Sequence, residues 1–129
     1  MKTTRRVRFS ETDASGRVHF TSILKWAEDA EHEALAAAGL IIFDSASPDS
    51  GWPRVRVSCD YRAPIAFEQE VEITIKLKGS GISALTWAFE VRNLSEGGIL
   101  AAEGELITVH LVDGRPTALS DDSRAALTS

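Results

Sequence analysis

Apolar and polar residues alternate through most of this chain, and one long stretch departs from that pattern. Alternation with a period of two is typical of half-buried β-strands. It predicts five strands, at residues 4–9, 54–62, 70–78, 85–91 and 99–112. Short turns such as Gly79-Ser80-Gly81 and Glu96-Gly97-Gly98 join the later strands. Consecutive strands with short connections form an antiparallel sheet.

The exception is a helical stretch that ends before Gly39, a good left-handed cap. We expect it to begin near Thr21 or Ser22, since either residue is a favoured N-cap. Small side chains dominate one stripe of this helix, which comprises Ile23, Ala27, Ala30, Ala34, Ala37 and Ile41. Its other faces carry polar residues, namely Lys25, Glu28, Asp29, Glu31, His32 and Glu33. A five-stranded antiparallel sheet wrapped around one long central helix is an α+β architecture.

Length and composition restrict the class of protein. The 129 residues suit a single domain over 1–129, with a short terminal helix from Ser120 through Leu127. A net charge of −5 argues against a nucleic-acid partner. The single cysteine, Cys59, excludes an internal disulfide and a cysteine-based zinc cluster. The start of the sequence does not resemble a signal peptide, and no apolar run approaches the ~18 residues of a membrane span. We therefore expect a cytoplasmic protein without a membrane partner.

The turn ahead of the helix carries the strongest candidate for chemistry, Asp13. Free N–H groups at a helix start favour negative charge, so a carbonyl bound there would meet a carboxylate and hydrogen-bond donors together. That combination suits acyl transfer. In the alternative interpretation, Asp13 simply hydrogen-bonds its own turn. His19 is a candidate base or substrate donor, or a half-buried residue with a local partner. The three histidines lack metal-ligand spacing.

Other candidates are less distinctive. Arg54 lies on a polar strand face with Arg56 and Arg62, where these side chains either bind the phosphates of a substrate or face solvent. Cys59 alternates with valines and is interpreted as a structural thiol.

Several motifs, in the right order and spacing, resemble the 4-hydroxybenzoyl-CoA thioesterase family of hotdog-fold enzymes. The first is Asp13-Ala14-Ser15-Gly16-Arg17-Val18-His19-Phe20, followed by a helix with Trp26 and Glu28. The later ones are Gly51-Trp52-Pro53-Arg54-Val55, Tyr61-Arg62-Ala63-Pro64 and Asp113-Gly114-Arg115-Pro116. The resemblance covers nearly the whole chain.

This resemblance implies a hotdog fold, in which the sheet wraps the long helix and chains pair through their sheets. It implies a homodimer or homotetramer with active sites at the dimer interface. The implied substrate is an acyl-CoA, and neither a metal nor a separate cofactor is used. Asp13 would attack the thioester or activate water, the Phe20 backbone N–H would polarise the carbonyl, and Gly16 would complete the catalytic turn. We take His19, Ile23, Trp52 and Arg54 as the candidate substrate-binding residues, although the family pattern does not place His19.

Two positions depart from the family pattern. Many members have histidine where this chain has Phe20, and tyrosine where it has Ile23. Both replacements make the pocket entrance more apolar, which favours an aromatic or medium-chain acyl group. Two other functions stay open on this fold: a non-catalytic module that binds acyl-CoA or acyl-carrier protein, and an enoyl-CoA hydratase or dehydratase. In the latter a histidine follows the aspartate by five residues, whereas His19 follows Asp13 by six.

Overall fold

The computed structural model describes residues 1–128, which form a five-stranded sheet, a small two-stranded hairpin, one long helix and a short terminal helix. In chain order the elements are β1 (Lys2–Arg6), α1 (Phe20–Ala37), β2 (Arg54–Tyr61), β3 (Glu70–Ser80), β4 (Ala84–Asn93), β5 (Ile99–Val109), β6 (Leu111–Val112), β7 (Arg115–Pro116) and α2 (Asp121–Thr128). The first five strands form an antiparallel sheet in the order β1-β3-β4-β5-β2. The α+β class, the five-stranded antiparallel sheet and the long helix are confirmed.

The core lies between one face of the sheet and α1. The apolar positions predicted on β3 and β4 are buried, as the alternating pattern requires, and they meet the small-residue stripe of the helix. The largest buried side chains of this core are Trp26, Trp87, Phe89, Leu35, Ile73, Ile75, Leu85 and Leu106. Each contributes roughly 1.5–3 kcal/mol by leaving water. The Ala27 and Ala30 side chains let α1 approach the sheet closely.

The start of α1 differs from the prediction, whereas its end before Gly39 agrees with it. The N-cap is His19, and neither Thr21 nor Ser22 has that role. A histidine ring nitrogen accepts hydrogen bonds as a serine oxygen does, and His19 Nδ1 accepts the Thr21 N–H at 3.2 Å. The helix ends at Ala37, and Gly39 adopts the left-handed conformation expected of it, with φ of +78°. Ile41 therefore lies beyond the helix and is exposed, so the predicted stripe is too long.

Glu31, one of the polar residues outside the small-residue stripe, is fully buried. Its carboxylate accepts a hydrogen bond of 2.7 Å from Arg54, and the same guanidinium donates at 2.8 Å to Glu28. Burial raises the pKa of the Glu31 carboxyl, while the Arg54 charge acts in the opposite direction. A carboxylate tolerates such a position only when it is paired. Its partner comes from a strand 23 residues away, which helical periodicity does not reveal.

The strand β2 is less buried than predicted. It forms the edge of the sheet and pairs only with β5. Val55 and Val57 are 62% and 43% exposed, and Tyr61 is also exposed. Alternation showed which side chains share a face, but α1 packs chiefly against β3 and β4 and leaves β2 uncovered. The chain thus presents an open, partly apolar sheet edge.

Glu11, in a short 3₁₀ turn over Phe9–Glu11, ties α1 to the opposite edge of the sheet. Its carboxylate accepts hydrogen bonds from Arg5 of β1 and, at 2.6 Å, from the Trp26 indole N–H. Its backbone carbonyl accepts the His19 N–H and the Ser22 hydroxyl, each at 2.9 Å. One residue therefore holds β1, the helix start and the buried helix face together.

The last predicted strand is split in the structure. β5 ends at Val109, and His110 separates it from the small β6–β7 hairpin, whose turn is the predicted Asp113-Gly114. The terminal helix α2 is capped as expected, since the Ser120 hydroxyl accepts the Ser123 N–H at 3.1 Å. Among residues 1–128, no helix is long and apolar enough to cross a membrane.

Gly104 on β5 gives a test of the sheet packing. A Cβ at this position would lie 1.9 Å from the Ser58 carbonyl oxygen and 2.8 Å from the Phe89 ring. We expect Gly104→Ala to lower the free energy of unfolding by about 3 kcal/mol, because β2 must move away from β5. Gly79→Ala is the matched control: its Cβ would meet nothing within 4 Å, and we expect a change within about 0.5 kcal/mol. Urea denaturation measures both, and equal stability of the two variants would contradict this packing.

Candidate active site

The Asp13 turn is a tight reversal held against a neighbouring segment. The Asp13 N–H donates to the Arg17 carbonyl at 2.8 Å, and the Gly16 N–H donates to the Asp13 carbonyl at 3.0 Å. Gly16 has φ of +78°, a conformation that glycine adopts without strain. The Val18 N–H donates to Ile65, and the Phe67 N–H donates to Gly16. The turn is therefore fixed by bonds on both of its flanks.

The two carboxylate oxygens of Asp13 differ. Oδ1 accepts hydrogen bonds from the Ser15 hydroxyl at 2.5 Å and from the Ser15 N–H at 2.8 Å. Within residues 1–128, Oδ2 accepts none. The Ser15 hydroxyl is the main reason why the pKa of Asp13 is lowered, and the Ser15 N–H adds to the effect. Asp13 thus bonds its own turn with one oxygen and keeps an ionised, unpartnered oxygen beside it.

Among residues 1–128, the start of α1 leaves the backbone N–H of Phe20 unused. The Thr21 N–H bonds the His19 ring, and the Ser22 N–H bonds the His19 carbonyl at 2.9 Å. The Phe20 N–H has no acceptor in the described part of the chain. It lies at the helix end where the peptide dipoles concentrate positive charge. A negatively charged oxygen near this N–H would be stabilised.

A cavity of about 470 Å³ opens beside the Asp13 turn. Its lining residues are Asp13, Ser15, Arg17, Val18, Ile23, Tyr61, Arg62, Ala63, Pro64 and Ile65. Of the residues predicted from the sequence, Asp13 and Ile23 meet here. Arg62 forms an ion pair of 2.9 Å with Glu103, whereas no described carboxylate pairs with Arg17. The cavity combines an apolar wall with two cationic side chains and one free carboxylate oxygen.

The other predicted substrate-binding residues lie elsewhere in the same chain. His19 caps the helix and stacks its ring on Phe20, with centroids 4.7 Å apart. Trp52 stacks on His110 at 4.5 Å and lines a second cavity of about 520 Å³. Arg54 is engaged by the helix carboxylates. Trp52 and Arg54 stand just before and at the start of β2, whereas the Asp13 cavity adjoins its end.

Two residues that the sequence analysis did not single out contribute to this site. Ser15 holds the Asp13 carboxylate, and its position two residues after an aspartate is a known turn signal. The Tyr61 hydroxyl donates to the Phe20 carbonyl at 2.9 Å across 41 residues of sequence, which no local pattern reveals. Within residues 1–128, no three side chains from His, Cys, Asp and Glu are grouped so as to hold a metal ion.

The sequence of this chain is similar to those of characterised proteins. The chain is 35% identical over 82 residues to a 1,4-dihydroxy-2-naphthoyl-CoA hydrolase from Synechococcus sp. strain CC9605, covering 59% of this chain and 55% of that protein. The chain thus spans about half the length of the curated relatives it matches.

Two solved structures share the fold. A 1,4-dihydroxy-2-naphthoyl-CoA thioesterase from Synechocystis superposes with a TM-score of 0.85 at 21% identity, covering 98% of this chain and 93% of the other. A thioesterase from Thermus thermophilus, solved with coenzyme A and Zn, gives 0.83 at 26% identity, covering 99% and 97%. The expected hotdog fold is confirmed. The family model of the Thioesterase-like superfamily matches residues 7–127, so the chain belongs to that superfamily.

Proposed function

We propose that this protein is an acyl-CoA thioesterase, which hydrolyses a thioester to a carboxylic acid and the free thiol of CoA. The observation that carries the proposal is the ionised Asp13 Oδ2, unpartnered in the described chain, near a helix start whose Phe20 N–H is also unpartnered. A carboxylate and a fixed N–H donor are the two groups that thioester hydrolysis needs. The names of the relatives support the same activity.

In the proposed reaction the thioester carbonyl lies between these two groups. Asp13 Oδ2 either attacks the carbonyl carbon or takes a proton from a water that attacks it. The carbonyl oxygen becomes an oxyanion and accepts a hydrogen bond from the Phe20 N–H. Collapse of the tetrahedral intermediate breaks the C–S bond, and the thiolate leaves with the electron pair. Hydrolysis of an anhydride formed with Asp13, or direct release, then gives the free acid.

The substrate class is proposed from the cavity wall and from the relatives. Ile23 lines the cavity, and Phe20, which belongs to the same helix start but is not among the lining residues, is 60% exposed. Both side chains present apolar surface to an acyl group. The relatives named as 1,4-dihydroxy-2-naphthoyl-CoA hydrolases act on an aromatic thioester. We propose an aromatic acyl group for this enzyme, with Arg17 and Arg62 at the same cavity facing the anionic CoA portion.

We further propose that two chains pair along β2 to form a homodimer, which is the smallest active assembly. A homotetramer would contain two such dimers. The edge of β2 exposes unpaired backbone groups together with Val55 and Val57, a surface that a second copy would cover. A two-fold axis pairs β2 with itself in antiparallel orientation, so the start of one strand meets the end of the other. Trp52 and Arg54 of one copy would then lie near the Asp13 cavity of the other copy.

The first prediction concerns the carboxylate. We expect Asp13→Asn to keep the fold, because an amide oxygen still accepts the Ser15 bonds, and to lower kcat by roughly 10³-fold or more since no anion remains. Thiol release from benzoyl-CoA, acetyl-CoA and a medium-chain acyl-CoA measures this, with circular dichroism as the folding check. Undiminished turnover would exclude Asp13 as the catalytic group. A preference of the wild type for acetyl-CoA would exclude the aromatic specificity.

The second prediction concerns pH. The acid limb of kcat/KM reports the pKa of Asp13, since the ionised form is the active one. Ser15→Ala removes the hydroxyl that lowers this pKa, so the pKa rises toward its ordinary value of 3.8 and the limb moves to higher pH. Ser45→Ala is the control, because Ser45 is exposed and lies outside the cavity. If the acid limb of the kcat/KM profile does not shift in Ser15→Ala, the role assigned to Ser15 is wrong.

The third prediction tests the shared site by subunit complementation. Asp13→Asn and Trp52→Ala chains are each expected to be impaired as homodimers. Co-expressed, they form heterodimers in which one site combines the intact Asp13 of one chain with the intact Trp52 of the other. Random pairing would restore about a quarter of the wild-type rate. If mass spectrometry verifies the heterodimers and the hydrolysis rate is not restored, Asp13 and Trp52 of the same subunit form one site.

A further inference from the structure

Tyr61 connects the open edge of the sheet to the start of α1. It is the last residue of β2, and its hydroxyl donates to the Phe20 carbonyl at 2.9 Å. Its side chain also lines the cavity that contains Asp13. It is the only tyrosine in the sequence. One side chain therefore contacts the helix residue that carries the unused N–H and borders the cavity where the substrate would bind.

We propose that Tyr61 is a positioning residue, whose hydroxyl fixes the first residue of α1 and thereby holds the Phe20 N–H in place for the developing oxyanion. This inference rests on the proposed thioesterase function. An oxyanion donor is effective only when it lies ~2.7–3.1 Å from the oxygen it stabilises, so a small displacement of Phe20 is costly.

The surroundings of Phe20 explain why this bond is needed. Helix termini fray, and the first residue makes few helical bonds of its own. The Phe20 side chain is exposed and stacks only on the neighbouring His19 ring among residues 1–128, so it is not anchored in the core. The Glu11 carbonyl holds the neighbouring His19 and Ser22 from the β1 side. Tyr61 holds Phe20 from the β2 side, so the helix start is fixed from both edges of the sheet.

The protonation state of Tyr61 suits a donor and not a base. Although about half of the residue is exposed, desolvation of its hydroxyl raises the pKa of Tyr61 to about 12, and the nearby Cys59 adds to this shift. The hydroxyl therefore keeps its proton throughout the pH range of the reaction and continues to donate to Phe20. Tyr61 thus stays protonated and donates a hydrogen bond, whereas Asp13 is ionised and supplies the anion.

The test is Tyr61→Phe, which keeps the ring in the cavity wall and removes only the hydroxyl. We expect kcat for benzoyl-CoA to fall about three- to tenfold, as the loss of one hydrogen bond predicts, with KM changed less than about twofold. Ser120→Ala is the control: it removes the N-cap of α2, so it lowers stability without touching the site, and its kcat should stay at the wild-type value.

A second readout reports on the carbonyl itself and does not need turnover. Infrared difference spectra of isotopically labelled benzoyl-CoA bound to Asp13→Asn should show a carbonyl stretch shifted to lower frequency by the N–H donor. Adding Tyr61→Phe should reduce that shift, whereas adding Ser120→Ala should not. A purely structural role of Tyr61 would lower the melting temperature and leave the frequency unchanged.

Each outcome decides the inference. A lower kcat with a reduced carbonyl shift supports it. An unchanged kcat, or a raised KM with kcat unchanged, would overturn it and leave Tyr61 as a wall of the cavity. If the wild type hydrolyses no thioester, the proposed function fails. The bound carbonyl frequency with and without the Tyr61 hydroxyl then still decides whether the residue positions the donor, and equal frequencies reject it.

Discussion

Glu11 determines where the Asp13 turn and the helix meet. Its carboxylate binds Arg5 and the Trp26 indole, while its carbonyl binds His19 and Ser22. Asp13 follows Glu11 by two residues, and Phe20 follows His19 directly. The bond from the His19 N–H to the Glu11 carbonyl therefore closes the loop that carries Asp13. Its closure fixes the distance between the anion and the helix start before any substrate binds.

The buried core holds α1 in place while Asp13 and Phe20 stay exposed at the surface. The large side chains of α1, β3 and β4 hold the helix against the sheet, and the alanines allow a close approach. The helix start can then keep a backbone donor without a partner, and the Asp13 turn can keep a carboxylate oxygen free. Because both residues are exposed, these groups avoid the cost of a buried unsatisfied group and remain accessible to a ligand. In the proposed reaction, the thioester carbonyl and its attacking water fill that role.

Local pattern predicted the parts of this protein that local chemistry controls. Alternation located the strands, Gly39 ended the helix, and the turn residues around Asp13 identified the candidate site. Pairings between distant residues were not predictable from one sequence. The Glu31 carboxylate is fully buried and pairs with Arg54, which lies 23 residues away in the sequence. His19 is the N-cap in place of Thr21 or Ser22 because its ring Nδ1 accepts a hydrogen bond from the Thr21 N–H. The exposure of β2 depends on strand order, which alternation does not encode.

In the proposed function, a thioester carbonyl binds between Asp13 and the Phe20 N–H. The most direct measurement is a crystal structure of the Asp13→Asn variant with an aromatic acyl-CoA bound. We expect the carbonyl oxygen to lie ~2.7–3.1 Å from the Phe20 nitrogen, with the side chain at position 13 facing the carbonyl carbon. A carbonyl bound away from the start of α1, with the Phe20 N–H still unpartnered, would contradict this proposal.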